Sequence, residues 1–93
     1  MTLPVDYDLI PYNERWKIRD EYIRVQNGLC RHCKEPLEGP PPNEITKLWI
    51  NEKLFPQNFF KHPVHLHHSR ETGLTIGAVH YVCNAALWQY HGE

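Results

Sequence analysis

The chain contains no run approaching the roughly 18 apolar residues that a membrane span needs, which argues against an embedded protein. Its first residues, Met1-Thr2-Leu3-Pro4-Val5-Asp6, lack the basic and apolar regions of a secretory signal, so a cytoplasmic setting is expected. It has no internal repeat and no low-complexity tract beyond Gly39-Pro40-Pro41-Pro42, which leaves out repeat architectures. It has three cysteines and no fourth, an odd number that argues against a closed disulfide framework. Past Arg70 there is neither Lys nor Arg, and the formal net charge is −1, so overall charge makes no case for nucleic acid.

What is present is a 93-residue chain, enough for one domain, with 41% hydrophobic and 23% charged residues, a globular balance. A chain this short buries only about 60–65% of its unfolded surface, so its core must be thin and a staple is useful. Three cysteines with seven histidines point to a metal as that staple.

The segments divide as an extended arm over 1–12, a helix and turn over 13–37, an inserted segment over 38–62 and a final unit over 63–91. Asn13 suits a helix N-cap, Glu14 the positive helix end, and Gly28 the C′ position. Trp16, Arg19, Ile23 and Gln26 share one side of this helix, and its aromatics are expected in the core. Ile45, Leu48 and Trp49 have helical spacing and suggest a second helix from Asn43 to about Leu54, followed by irregular chain. Residues 64–68 and 75–80 read as strands around a Thr72-Gly73 turn, and 81–90 as a helix.

Cys30-x-x-Cys33 is half of a zinc knuckle. His80-x-x-Cys83 has the same spacing and lies after a 46-residue gap. Three Cys with one His is a standard tetrahedral zinc set, and this choice uses every thiol. The competing readings are a redox Cys-x-x-Cys with Cys83 as a buried apolar residue, or His32 standing in for His80. Val64-His65-Leu66-His67-His68 places three more histidines in four positions. Alternation puts His65 and His67 on one face and His68 on the other. Such a cluster suits metal binding or proton transfer near neutral pH, and equally a surface tract or a further structural site.

Residues 67–84 resemble the HNH endonucleases, in particular the branch related to phage recombination endonuclease VII. The matching elements are His67-His68, Thr72-Gly73, Gly77 and His80-x-x-Cys83-Asn84, with Gln26-x-Gly28-x-Cys30-x-x-Cys33 similar to that branch's upstream knuckle. The resemblance implies a small α+β fold with a ββα-metal (His-Me finger) motif, an N-terminal helix and a zinc-knuckle staple. It implies His68 as general base, His67 and Asn84 as holders of a catalytic divalent ion, and structural Zn²⁺ on Cys30, Cys33, His80 and Cys83. The ion would be Mg²⁺ or Mn²⁺, or Ni²⁺, Co²⁺ or Zn²⁺; His65 is kept as an auxiliary. The expected activity is phosphodiester hydrolysis that nicks duplex DNA with loose sequence preference, by a monomer or a dimer, in a bacterial or phage-encoded setting. Arg15, Lys17, Arg19, Arg24, Lys34 and Arg70 become candidate phosphate contacts, where composition alone reads a solvated helix face. The middle Asn of the family motif has no match between His68 and His80, and the 38–62 segment exceeds the usual link. The alternative from another class is a non-catalytic, zinc-stapled module that binds nucleic acid or protein.

Overall fold

A computed structural model describes residues 2–92. Helix α1 runs Arg15–Val25, α2 is the single turn Asn43–Thr46, strands β1 and β2 are Val64–His68 and Thr75–His80, and α3 is Tyr81–His91. Short 3-10 turns occupy Tyr7–Leu9, Tyr12–Glu14, Glu52–Leu54 and Gln57–Lys61. The result is a small α+β protein: one antiparallel two-stranded sheet, β1 beside β2, with α1 and α3 packed on it.

The hairpin and last helix follow the sequence pattern. Gly73 takes a left-handed backbone (φ +77°), and Ser69 steadies the turn by accepting from the Glu71 and Thr72 amides. The pairing is regular from Val64↔His80 to His67↔Gly77, then shifts to His68↔Thr75 and leaves Ile76 unopposed. Such a bulge twists and re-aims a strand end. His80 ends β2 and is immediately the N-cap residue of α3, so sheet and helix meet without a loop.

Helix α1 differs from the sequence reading at both ends and in its buried face. It begins at Arg15 after a 3-10 turn, and no side chain caps it. It ends in a Schellman turn, with Asn27 N–H on the Arg24 carbonyl and Gly28 N–H on that of Ile23. The C′ residue is therefore Asn27 (φ +58°), one before the expected Gly28. The buried residues are Ile18 and Tyr22, whereas Trp16 is 53% exposed. The second helix stops at Thr46 rather than near Leu54. Leu48 and Trp49 stay exposed, so their helical spacing finds nothing to pack against, and the chain docks on α3 through the Trp49 carbonyl.

The arm is a sheet edge rather than a free extension. Thr75 N–H bonds to Val5 O at 2.9 Å and Tyr7 N–H to Gly73 O at 2.8 Å. The Thr75 hydroxyl takes the Val5 amide and meets the Tyr22 hydroxyl at 2.7 Å, joining arm, β2 and α1 at one buried point. The core is small: Ile18, Tyr22, Leu37, Ala78 and Val79 pack together with Cys30 and Cys83.

Candidate functional site

The first candidate site lies inside that core. The turn carrying Cys30 and Cys33 is closed by Cys30 N–H on Glu35 O and Lys34 N–H on Cys30 O, with Lys34 in a left-handed conformation. It is laid against β2 by Arg31 N–H on Ala78 O, 2.9 Å. Gln26 completes the junction. Its Nε2 donates to Leu29 O (2.7 Å) and Ala78 O (3.0 Å), and its Oε1 accepts from Ala78 N–H (2.9 Å). One amide side chain thus replaces a strand neighbour along β2. Gly77 permits this approach: a Cβ there would stand 2.6 Å from Gln26 Oε1 and 2.9 Å from Arg31 Cγ.

The junction brings Cys30, Cys33, His80 and Cys83 together, every ligand atom within 4.8 Å of the others. His80 Nδ1 lies 3.4 Å from Cys33 Sγ and 3.7 Å from Cys83 Sγ. A tetrahedral zinc with Zn–S near 2.3 Å and Zn–N near 2.0–2.1 Å sets an N···S edge of about 3.6 Å. His80 Nε2 is 2.9 Å from both the Pro36 and Gly39 carbonyls, which can only accept. Its proton is therefore on Nε2, and the Nδ1 lone pair faces the sulfurs.

Without an ion the three thiols do not ionise together. A hydrogen bond from Cys83 lowers Cys30 to about 4, the same contact followed by burial drives Cys83 far up, and burial raises Cys33. The protein alone thus favours a single thiolate, whereas a bound metal deprotonates coordinating thiols outright. The Cys30/Cys33/His80/Cys83 group fits a structural zinc site. His32 is not part of it.

The second candidate site is open. A cleft of about 750 Å³ is lined by Tyr7, by several residues of 12–19 and of 54–62, by β1 and Arg70, and by Asn84 and Trp88 of α3. His65, His67 and His68 all line it, as does His62. His67 and His68 should face opposite ways in a regular strand; the register shift between them coincides with both reaching the cleft. Asn84, in the first turn of α3, connects the cluster. Its Oδ1 lies 3.1 Å from His67 Nδ1, and its Nδ2 donates to His65 Nδ1 at 3.1 Å. His67 is only 4% exposed.

His68 is held from another direction. The Tyr7 ring stacks on it, with centroids 3.8 Å apart and planes 9° from parallel. Arg15 donates to the Tyr7 hydroxyl and lies 4.1 Å over that ring. Burial is the main cause that lowers the His68 pKa below its ordinary value; Arg15 adds to this and Asp8 opposes it. His65 is lowered too, chiefly by burial.

Of the six expected phosphate contacts, Arg15, Arg19 and Arg70 line the cleft. Lys17 pairs instead with Glu14, Arg24 with Glu21, and Lys34 Nζ donates to the Arg31 carbonyl. In a chain with 11 acidic residues, not one Asp or Glu is among the described residues that line the cleft. The sequence reading missed the aromatic lining, Tyr7, Tyr12, Trp16, Phe55, Phe59 and Trp88. Their one sequence signal was the interleaving of Tyr12 and Trp16 with Arg15, Lys17 and Arg19.

No protein-family model, curated protein or solved structure matches the chain.

Proposed function

We propose that the chain is a metal-dependent DNA endonuclease of the HNH class, with the β1–β2–α3 unit as its ββα-metal motif. The observation that carries this reading is the meeting of His67 Nδ1 and Asn84 Oδ1 at 3.1 Å, beside His68, in a cleft whose described lining has three arginines and no carboxylate. Two ligands at adjacent positions around an ion, each about 2.1 Å from it, stand about 3.0 Å apart. His67 and Asn84 would hold a divalent ion, and the imidazole favours the softer end of the Mg²⁺–Mn²⁺–Co²⁺–Ni²⁺–Zn²⁺ range. When bound, that ion supplies Lewis-acid neutralisation of the scissile phosphate and of the leaving 3′ oxygen.

The protein's own groups do the rest. His68, neutral at pH 7, takes a proton from the attacking water. Tyr7, stacked against it, fixes the imidazole plane and takes the orienting place that the family motif gives to its middle Asn. His65 accepts from Asn84 Nδ2 and so turns Oδ1 toward His67. Arg15, Arg19 and Arg70 offset phosphate charge along the cleft. Products would carry 5′-phosphate and 3′-hydroxyl ends.

The test is conversion of supercoiled plasmid to open circle by the zinc-loaded chain with added Mn²⁺ or Mg²⁺, beside His68→Ala. Metal-dependent nicking that His68→Ala loses supports the reading. A folded wild type that cuts neither the plasmid nor a single-stranded DNA circle, or a variant that cuts equally, defeats it. One observation favours the second reading, a non-catalytic zinc-stapled binding module: His65, Asn84 and His67 already satisfy one another as a hydrogen-bonded chain. Failure to cut either DNA form with zinc retained selects that module.

A further inference from the structure

The nuclease reading leaves open which form of DNA enters the cleft, and four features of the lining bear on this. His67 is 4% exposed, so a phosphate reaches it only on a segment narrow enough to enter the cleft. The cleft's volume of about 750 Å³ lies within the range of roughly 300–1,000 Å³ that takes small molecules. Tyr12 and Trp16 leave 78% and 53% of their surface open in this lining, beside Arg15 and Arg19. Open rings interleaved with cations are what unpaired bases stack on, worth roughly five- to hundredfold in affinity per base.

The charge arrangement points the same way. Duplex binding of general kind needs many phosphate contacts from a broad basic face. This chain carries a net charge of −1, and Lys17 and Arg24 are paired with carboxylates outside the cleft. Within the cleft Arg19 pairs with Asp20 at 3.2 Å, and Arg15 and Arg70 lie over the Tyr7 and Trp88 rings.

We infer that the cleft takes an unpaired DNA strand, its bases stacked on Trp16 and Tyr12 and its backbone passing Arg15, Arg19 and Arg70 on the way to His68. The inference rests on the nuclease reading for its chemistry, and it replaces the duplex that the family resemblance implies with a single-stranded segment at the cut. Binding itself is separable from cleavage.

The experiment uses the full, zinc-loaded chain with His68→Ala, so that probes are bound and not cut. Fluorescence anisotropy compares one labelled sequence as single-stranded DNA, as blunt duplex DNA and as the RNA strand. Single-stranded DNA should bind at least about tenfold more tightly than duplex and quench tryptophan fluorescence. Adding Trp16→Ala should weaken the single strand about tenfold and leave the duplex nearly unchanged, and Trp16→Phe should recover most of the loss. Zinc content confirms that these exposed-site variants are folded. Equal or tighter duplex binding, equal losses on both DNA forms, or tighter binding of RNA overturns the inference. Cleavage by wild type of plasmid or of a single-stranded circle reports on the nuclease reading separately: cleavage with duplex-preferring binding sinks only the present inference, and single-strand binding with neither DNA cut sinks only the chemistry.

Discussion

The two histidine-containing corners of this molecule share residue types and differ in almost everything else. At Cys30, Cys33, His80 and Cys83, four ligand atoms face one point, the histidine proton is committed to the Pro36 and Gly39 carbonyls, and two of the sulfurs belong to the hydrophobic core. At the other corner His65, Asn84 and His67 are tied to one another in a chain, and with His68 they line an arginine-bearing cleft. A closed four-ligand set with thiolates holds an ion for stability; an open set of imidazole and amide leaves positions for water and substrate. Imidazole therefore says little by itself. What surrounds it decides between staple and chemistry.

The comparison can be broken first at the closed corner, where the largest effect is expected. Structural zinc in small domains contributes about 10–16 kcal/mol, as much as the whole stability of a typical domain, about 5–15 kcal/mol. Stripping the metal with a strong chelator, or Cys83→Ala, should abolish the cooperative thermal transition and most of the helical circular dichroism. A chain that melts unchanged without zinc would refute the staple.

The open corner should respond in the opposite manner. His68→Ala is expected to lower nicking by about 10²–10⁴-fold while melting temperature and zinc content stay as in wild type. Loss of fold in that variant would move His68 from chemistry to structure.

A third, smaller effect concerns the junction that builds the closed corner. Gln26→Ala leaves Ala78 N–H without its partner, at about 1–3 kcal/mol for a buried group left unpaired, while Ala78 O keeps the Arg31 N–H. Denaturant unfolding should show a loss of about 2 kcal/mol with the zinc still bound. Gly77→Ala should act in the same direction, because its methyl group enters the space of Gln26 Oε1.

His65→Ala sharpens the comparison from within the cleft. If His65 positions Asn84, the concentration of Mn²⁺ needed for half-maximal nicking should rise about tenfold, the low end of what outer-shell partners contribute. An unchanged metal requirement with reduced stability would give His65 a packing role against Phe59.

The pH response is the mildest expected effect. Burial holds the His65 and His68 pKa values below 6.5, and both must be neutral to accept a proton or a hydrogen bond. Nicking should therefore be flat above about pH 6.5 and fall only as pH drops below it. Stability follows the same sign: between the unfolded value and the lower folded ones the unfolded chain binds more protons, so unfolding becomes easier as pH falls through that window. An activity limb centred above pH 7 would contradict a buried imidazole base.

The parts that were legible in the sequence are those where local pattern and tertiary packing agree. The Thr72-Gly73 turn, the strand alternation around it and the paired two-residue spacings of Cys30/Cys33 and His80/Cys83 led directly to the hairpin, α3 and the metal corner. Helix α1 was legible as a helix, but its buried face was misjudged because Trp16 looks like core in sequence and lines a cleft in space. Leu48 and Trp49 misled for the reverse reason, helical spacing with no partner surface to bury it, whereas Ile45 of the same set packs against the core. The arm's place along β2 is made by backbone bonds of Val5, Tyr7 and Thr75, which no side-chain pattern announces. The stacking of Tyr7 on His68 follows from that placement, so it could not be read before the fold was known.

The division of labour between the corners is tested most directly by counting metal on the purified chain and its His67→Ala variant. One zinc per chain should survive exhaustive dialysis in both proteins, and a second, weakly held Mn²⁺ or Co²⁺ should titrate into wild type and not into the variant. A single zinc with no second ion bound, even when DNA is present, would contradict that division and leave the histidine cleft as structure alone.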